Sequence, residues 1–266
     1  EPEIRRFLPK LMDGYKLLAK GTGTKKADDA WVEKMSRQVF AASRDSAADM
    51  VAAALAEGID PEAVGEAIAL ASSRLVLHDP GRTARQASGG KPAGSVHGDS
   101  VGVHASDAAN AWRNIARVSD TRNRIASLIV GAYHTGGQSG GLNREPYPLP
   151  AHLEKATAKD AKGLLAQAEE AIRGKDQALA CAAIQRCGEL GHDAEAVFAL
   201  MLRYATSEDG SLHAEKYYRT VREEFKATRP AFRWMQLAAL ARVTASEYGR
   251  TAPGYKQARE LLGLEG

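Results

Sequence analysis

Cysteine, aromatic side chains, net charge and long apolar runs are all scarce in this 266-residue chain, and each scarcity closes off a class of protein. Two cysteines, Cys181 and Cys187, stand six apart in a stretch of helical periodicity. Their side chains leave different faces and are poorly placed to bridge, so no disulfide framework is indicated. Free, buried thiols suit a reducing compartment, and a cytoplasmic location is expected. The chain opens on Glu1 and not on Met, so a preceding targeting segment stays compatible with the sequence. No run of about 18 apolar residues occurs, which argues against a membrane-spanning helix and a membrane partner. The 36 basic and 33 acidic residues nearly cancel, to a formal +3, and leave no global electrostatic footprint for nucleic acid. At 6% aromatics, the core has to be built from Ala, Leu, Ile and Val.

What is abundant favours helix. Ala, Leu, Glu, Lys and Arg dominate the periodic stretches. Asp60-Pro61-Glu62 is a helix start with an acceptor cap, proline in the first turn and an acid at the positive end of the dipole. Val64, Ile68, Ala71 and Leu75 carry that helix to His78, and Asp79-Pro80-Gly81 ends it. Trp31, Met35 and Val39, then Met50, Val51 and Leu55, predict helices over 28–42 and 46–57, and another is expected over 3–19. Residues 80–98 lack apolar periodicity and read as a long exposed loop. A helix starting between Asp99 and Ser106 runs to Val118, and the next, capped by Ser119 or Asp120, ends at Tyr133-His134.

A Gly- and Pro-rich connection over 135–150 is the best boundary. Beyond it, helices are expected to start near 159, 176, 193, 211 and 230. That spacing of about 17 residues matches helical-hairpin repeats, and equally matches ordinary helices joined by short turns. The predicted architecture is all-α: an N-terminal helical bundle over 1–140, followed by α-solenoid-like helical hairpins over 151–266.

Four of the seven histidines, His78, His97, His104 and His134, fall between residues 78 and 134. If the three helices there are antiparallel neighbours, His78, His104 and His134 share one end of the bundle. With Asp107, three residues after His104, they form a candidate site for a transition metal: iron, zinc or copper. A haem held through one axial histidine is the variant of this reading. His97 and Asp99 either join from a loop, support a ligand by hydrogen bonding, or act with Tyr133 in proton transfer. His78 and His134 are also explained by helix C-termini, where the dipole and free carbonyls favour them. Arg113 and Arg117, four apart, either hold an acidic group of a small-molecule substrate or face solvent.

Other signals are weaker. Gly21-Thr22-Gly23-Thr24-Lys25-Lys26 has the composition of a phosphate loop without Walker spacing or a preceding strand, and reads as a linker; Gly89-Gly90-Lys91 fails likewise. Arg229-Pro230-Ala231-Phe232-Arg233-Trp234 is expected to pack and pair. Neither Cys-x-x-Cys nor His-Glu-x-x-His occurs. The twelve residues from Glu57 to Ile68, reading Glu-Gly-Ile-Asp-Pro-Glu-Ala-Val-Gly-Glu-Ala-Ile, are similar to a helical pattern of the alkylhydroperoxidase-D and carboxymuconolactone decarboxylase group. The peroxidase branch of that group implies a Cys-x-x-Cys and a later histidine. Here Ser72, Ser73 and His78 stand without either cysteine, so its thiol chemistry does not carry over.

The leading expectation is therefore a metal-dependent enzyme, an oxidoreductase before a hydrolase, with the site at one end of the bundle. The alternative, from a different class, is a non-enzymatic module that binds a protein partner through its C-terminal helices. A metal-free anion pocket centred on Arg113 and Arg117 is the third reading.

Overall fold

Aspartate and serine caps set several of the helix starts among the described residues. Asp28, Ser43, Asp120, Asp160, Asp176 and Asp193 each accept a backbone N–H from the first turn that follows. Each such cap is worth about 1 kcal/mol. The computed structural model describes residues 2–89, 91–96, 100–208 and 213–264. Among these the chain is all-α, with isolated bridges and no strand. In order the helices are α1 (Pro2–Gly14), α2 (Leu17–Lys20), α3 (Asp29–Ala41), α4 (Arg44–Ala56), α5 (Pro61–His78), α6 (Val101–Val118) and α7 (Thr121–Thr135). There follow α8 (Pro150–Leu153), α9 (Ala161–Arg173), α10 (Gln177–Glu189), α11 (Ala194–Ser207), α12 (His213–Ala227), α13 (Arg233–Glu247) and α14 (Tyr255–Leu261). No described helix is long and apolar enough to cross a membrane.

Two compact units divide the chain, each discontinuous in sequence. The first comprises Glu1–Val76, Val101–Leu142 and Lys226–Phe232. Within it α7 packs against α4 and α6, and α1, α2 and α3 pack on α4 and α7. α5 is buried from Ala63 onward, as its small and apolar residues on every side require. α6 runs antiparallel to it. A Cβ on Gly102 would stand 2.6 Å from the Val76 nitrogen, and one on Gly65 would stand 2.9 Å from the Arg113 Cγ, so later residues of α6 lie beside earlier residues of α5. Side-chain-free positions let the two helices come this close.

The second unit comprises Leu77–Ser100, Asn143–Phe225 and Arg233–Gly266. Its helices follow one another as hairpins: α9 pairs with α10, and α13 lies against α9, α10 and α11. Leu164, Ala168, Ala171 and Ile172 of α9 form one buried stripe, while α13 is buried from Gln236 to Glu247. Cys181 and Cys187 are both buried and free, and burial pushes their thiols up to about 12 and about 11. They serve as small core residues.

Two local expectations are corrected. The helix expected over 3–19 is broken after Gly14, because Lys16 takes a left-handed conformation at φ 53° before α2. The loop expected over 80–98 is not simply exposed: Ala84–Gln86 form a 3₁₀ turn, and Ser95 and Val96 are buried. The Val96 amide donates to the Ser246 hydroxyl at 2.7 Å, which gives a backbone donor withdrawn from water the partner it requires.

Arg242 of α13 is the largest buried polar side chain of the second unit, 1% exposed. It donates to the Leu77 carbonyl at 3.1 Å and to the Asp79 carbonyl at 2.5 Å, so it caps the end of α5. Its guanidinium also lies 4.1 Å from the centre of the Tyr147 ring. Arg242→Ala is expected to lower unfolding free energy by roughly 3 kcal/mol, because buried carbonyls lose their donor. Arg242→Lys should recover only part of this, since an ammonium cannot span both carbonyls in the same way. Urea unfolding followed by circular dichroism measures both, and an Arg242→Ala midpoint equal to wild type would refute the capping role.

Candidate functional site

The antiparallel run of α5, α6 and α7 brings together the start of the first, the end of the second and the start of the third. Arg113 and Arg117 leave α6 one turn apart and both reach Glu62 in the first turn of α5. Arg117 takes its carboxylate side-on, with Nε 2.9 Å from Oε1 and Nη2 2.8 Å from Oε2. This is the two-pronged geometry in which a guanidinium matches a carboxylate best. A third bond, from Arg117 Nη1 to Asn114 Oδ1 at 2.9 Å, holds the guanidinium in plane.

Arg113 is 2% exposed and threads past Gly65, where a side chain would collide with it. Its Nε lies 3.3 Å from Glu62 Oε2, and its Nη2 donates to the Ala227 carbonyl at 3.1 Å. Residues 226–232, which belong to this unit, are thus tied to α6. They are also tied to α5: the buried Glu66 accepts from the Arg229 amide at 2.8 Å and from its Nε at 3.0 Å. Arg229 Nη1 continues to Asp29 at 2.8 Å.

Arg124, on the first turn of α7, donates to the Ala116 carbonyl at 3.0 Å and the Ser119 carbonyl at 3.2 Å, where its charge meets the negative end of the α6 dipole. The segment from Gly21 to Lys26, expected as a linker, is fixed here instead. Lys25 exchanges backbone hydrogen bonds with Gly58 and Asp60, and a Cβ on Gly23 would fall 1.9 Å from the Gly58 oxygen. Together these pieces enclose a cavity of about 290 Å³, whose wall includes Thr22, Thr24, Glu62, Arg113, Arg117 and Arg124. Asp60 stands on the same wall with its carboxylate 2.9 Å from Lys26 Nζ.

Electrostatics follow from this geometry. Burial pushes the Glu62 carboxyl up, but the Arg117 hydrogen bonds and the charges of Arg113 and Arg117 outweigh it and hold the group below its ordinary value. Asp60 is likewise raised by burial and lowered further by Lys26 and the Glu62 amide, with a net depression. Both carboxylates are therefore ionised at neutral pH.

The remaining expected site residues are placed elsewhere. His78 ends α5 in the segment counted with the second unit, and its Nδ1–H donates to the Asn143 carbonyl at 2.8 Å. His104 is exposed on α6, whereas Asp107 is buried. His134 accepts the Trp112 indole N–H on Nδ1 at 3.1 Å. Trp112 packs on Gly131, so His134 stands level with residue 112 of α6, roughly 12 Å along the helix axis from His104. Tyr133 is buried under Arg44, whose guanidinium carbon is 5.7 Å from the ring centre. His97 and Asp99 lie outside the described residues. Among the described residues no group of three or more His, Cys, Asp or Glu side chains is placed to hold a metal ion. The expected ligands His78, His104, Asp107 and His134 do not form such a group. Arg113 and Arg117 both line the cavity at the start of α5.

Gly137-Gln138-Ser139-Gly140-Gly141 has the lettering of a hydrolase nucleophile elbow, but it follows α7 and not a strand, so the strained strand-to-helix turn is missing. No family model matches the chain, and no curated protein or solved structure gives a match either.

The folded Glu62 carboxyl titrates below the unfolded one. Its ion pairs therefore contribute fully above the unfolded value of 4.5, and their contribution is lost as pH falls through the folded value. Glu62→Gln is expected to cost roughly 1–3 kcal/mol at neutral pH: solvent screens the Arg117 pair, but Arg113 is left buried without its counter-charge. The gap to wild type should narrow as pH falls below 4.5 and through the folded value. Urea unfolding of both proteins across this range measures it, and a gap that widens in acid would contradict the assignment.

Proposed function

We propose that the first unit binds a small molecule carrying an anionic group, at the cavity where Arg113, Arg117 and Arg124 converge. The observation that carries this reading is the convergence itself. Three arginines from two helices and a glycine-threonine segment line one cavity at the start of an 18-residue helix. The positive end of the α5 dipole favours an anion there, although Asp60 already takes the first-turn amides of Glu62 and Ala63. The cavity is near the lower end of the usual range for ligand pockets, which suits a small metabolite and not a polymer. Arg113, held rigid by Gly65 and the Ala227 carbonyl, supplies a charge whose ordering cost is met in folding and not on binding.

Calorimetric titration with citrate and with pyrophosphate, as probe anions, tests this reading on the full chain. Binding is expected at low ionic strength and should weaken severalfold between about 20 and 200 mM NaCl, as screening shortens. Arg117→Ala should weaken it by roughly tenfold or more, the loss of one charge-assisted pair. Arg124→Ala should act in the same direction. Binding of neither probe, or binding indifferent to both substitutions, would overturn the proposal.

A further inference from the structure

The cavity already contains an anion of its own. Glu62 places a carboxylate on Arg117 in the side-on geometry that a ligand carboxylate would use, and Arg113 closes on the same oxygen at 3.2 Å. The Glu62 side chain is nonetheless 48% exposed, against 33% for Arg117 and 2% for Arg113. The two guanidinium groups have further partners in Ala227 and Asn114, while the carboxylate side of the pair is the one that meets water most.

Resting on the anion-pocket reading above, we infer that Glu62 is a built-in counter-ion that the ligand must displace, and that the ligand class is a phosphate monoester. A tethered carboxylate competes at an effective concentration on the order of millimolar or more. A free monocarboxylate offers the arginines the same two oxygens and one charge, so it gains nothing by exchange. A phosphoryl group brings a charge of about −1.5 to −2 and three strong acceptor oxygens. Two of those oxygens replace the Glu62 carboxylate on Arg117 and Arg113. The third faces a wall that holds Arg124, Thr22 and Thr24. Asp60, the other carboxylate on that wall, is engaged by Lys26 and by the Glu62 amide at 3.0 Å, which limits its repulsion. Glu62 thus acts as a selectivity filter that rejects monocarboxylates and admits the doubly charged group.

Isothermal titration of the full chain at low salt, with inorganic phosphate and with acetate, tests this. Wild type is expected to bind phosphate and not acetate. In Glu62→Gln, phosphate should bind at least about tenfold tighter and acetate should bind measurably. Glu62→Asp, whose shorter arm cannot span both arginines, should move in the same direction by less and stands in if the glutamine variant fails to fold. Phosphate affinity equal to or weaker than wild type in these variants, with Arg117→Ala still abolishing it, would refute the counter-ion role and leave the anion pocket intact. No phosphate binding by wild type or by either Glu62 variant would sink the pocket reading as well.

Discussion

A guanidinium withdrawn from water costs several kcal/mol unless its charge and its donors are met, and Arg113 is withdrawn almost completely. What meets it dictates much of the first unit. Glu62 supplies the opposite charge from α5, the Ala227 carbonyl supplies an acceptor from a distant part of the chain, and Gly65 supplies the room for the side chain to pass. The cavity follows from these constraints, because α5 and α6 are held at a register in which the next turn, with Arg117, also faces Glu62.

A second acidic residue, one turn along α5, repeats the arrangement in reverse. At Glu66 the carboxylate is the buried partner, 4% exposed, and the arginine comes from outside the helix. Successive turns of one helix thus present a carboxylate to α6 and a carboxylate to residues 226–232. The i,i+4 spacing that would repel in isolation is tolerated because each acid has its own cation.

Much of the helical content was legible in the residues. Asp160, Asp176 and Asp193 announce the starts of α9, α10 and α11, and Asp60-Pro61 announces α5. Helical hairpins beyond residue 150 follow from the same punctuation. The break at Lys16 was not legible, because a left-handed lysine leaves no compositional trace. The candidate site was half legible. Antiparallel order places chosen helix ends together, and that logic applies to both ends of the bundle. Histidines drew attention to one end, while Asp60, Glu62, Arg113, Arg117 and Arg124 gather at the other. Helix order cannot reveal that Trp112 seats on Gly131 and thereby sets His134 away from His104. Nor does a glycine-threonine run disclose whether it wanders or is stitched to Gly58, since the pairing lies in another segment.

The return of residues 226–232 to the first unit bears on how the molecule can be dissected. A fragment stopped at Leu142 would keep α1 to α7 yet forfeit Arg229, leaving Glu66 as a submerged anion without its guanidinium and amide. It would also take the Ala227 carbonyl from Arg113. Truncation at the most inviting glycine-rich joint therefore strips the piece it was meant to isolate, and a faithful excision of this unit has to splice a short stretch from far downstream back onto it.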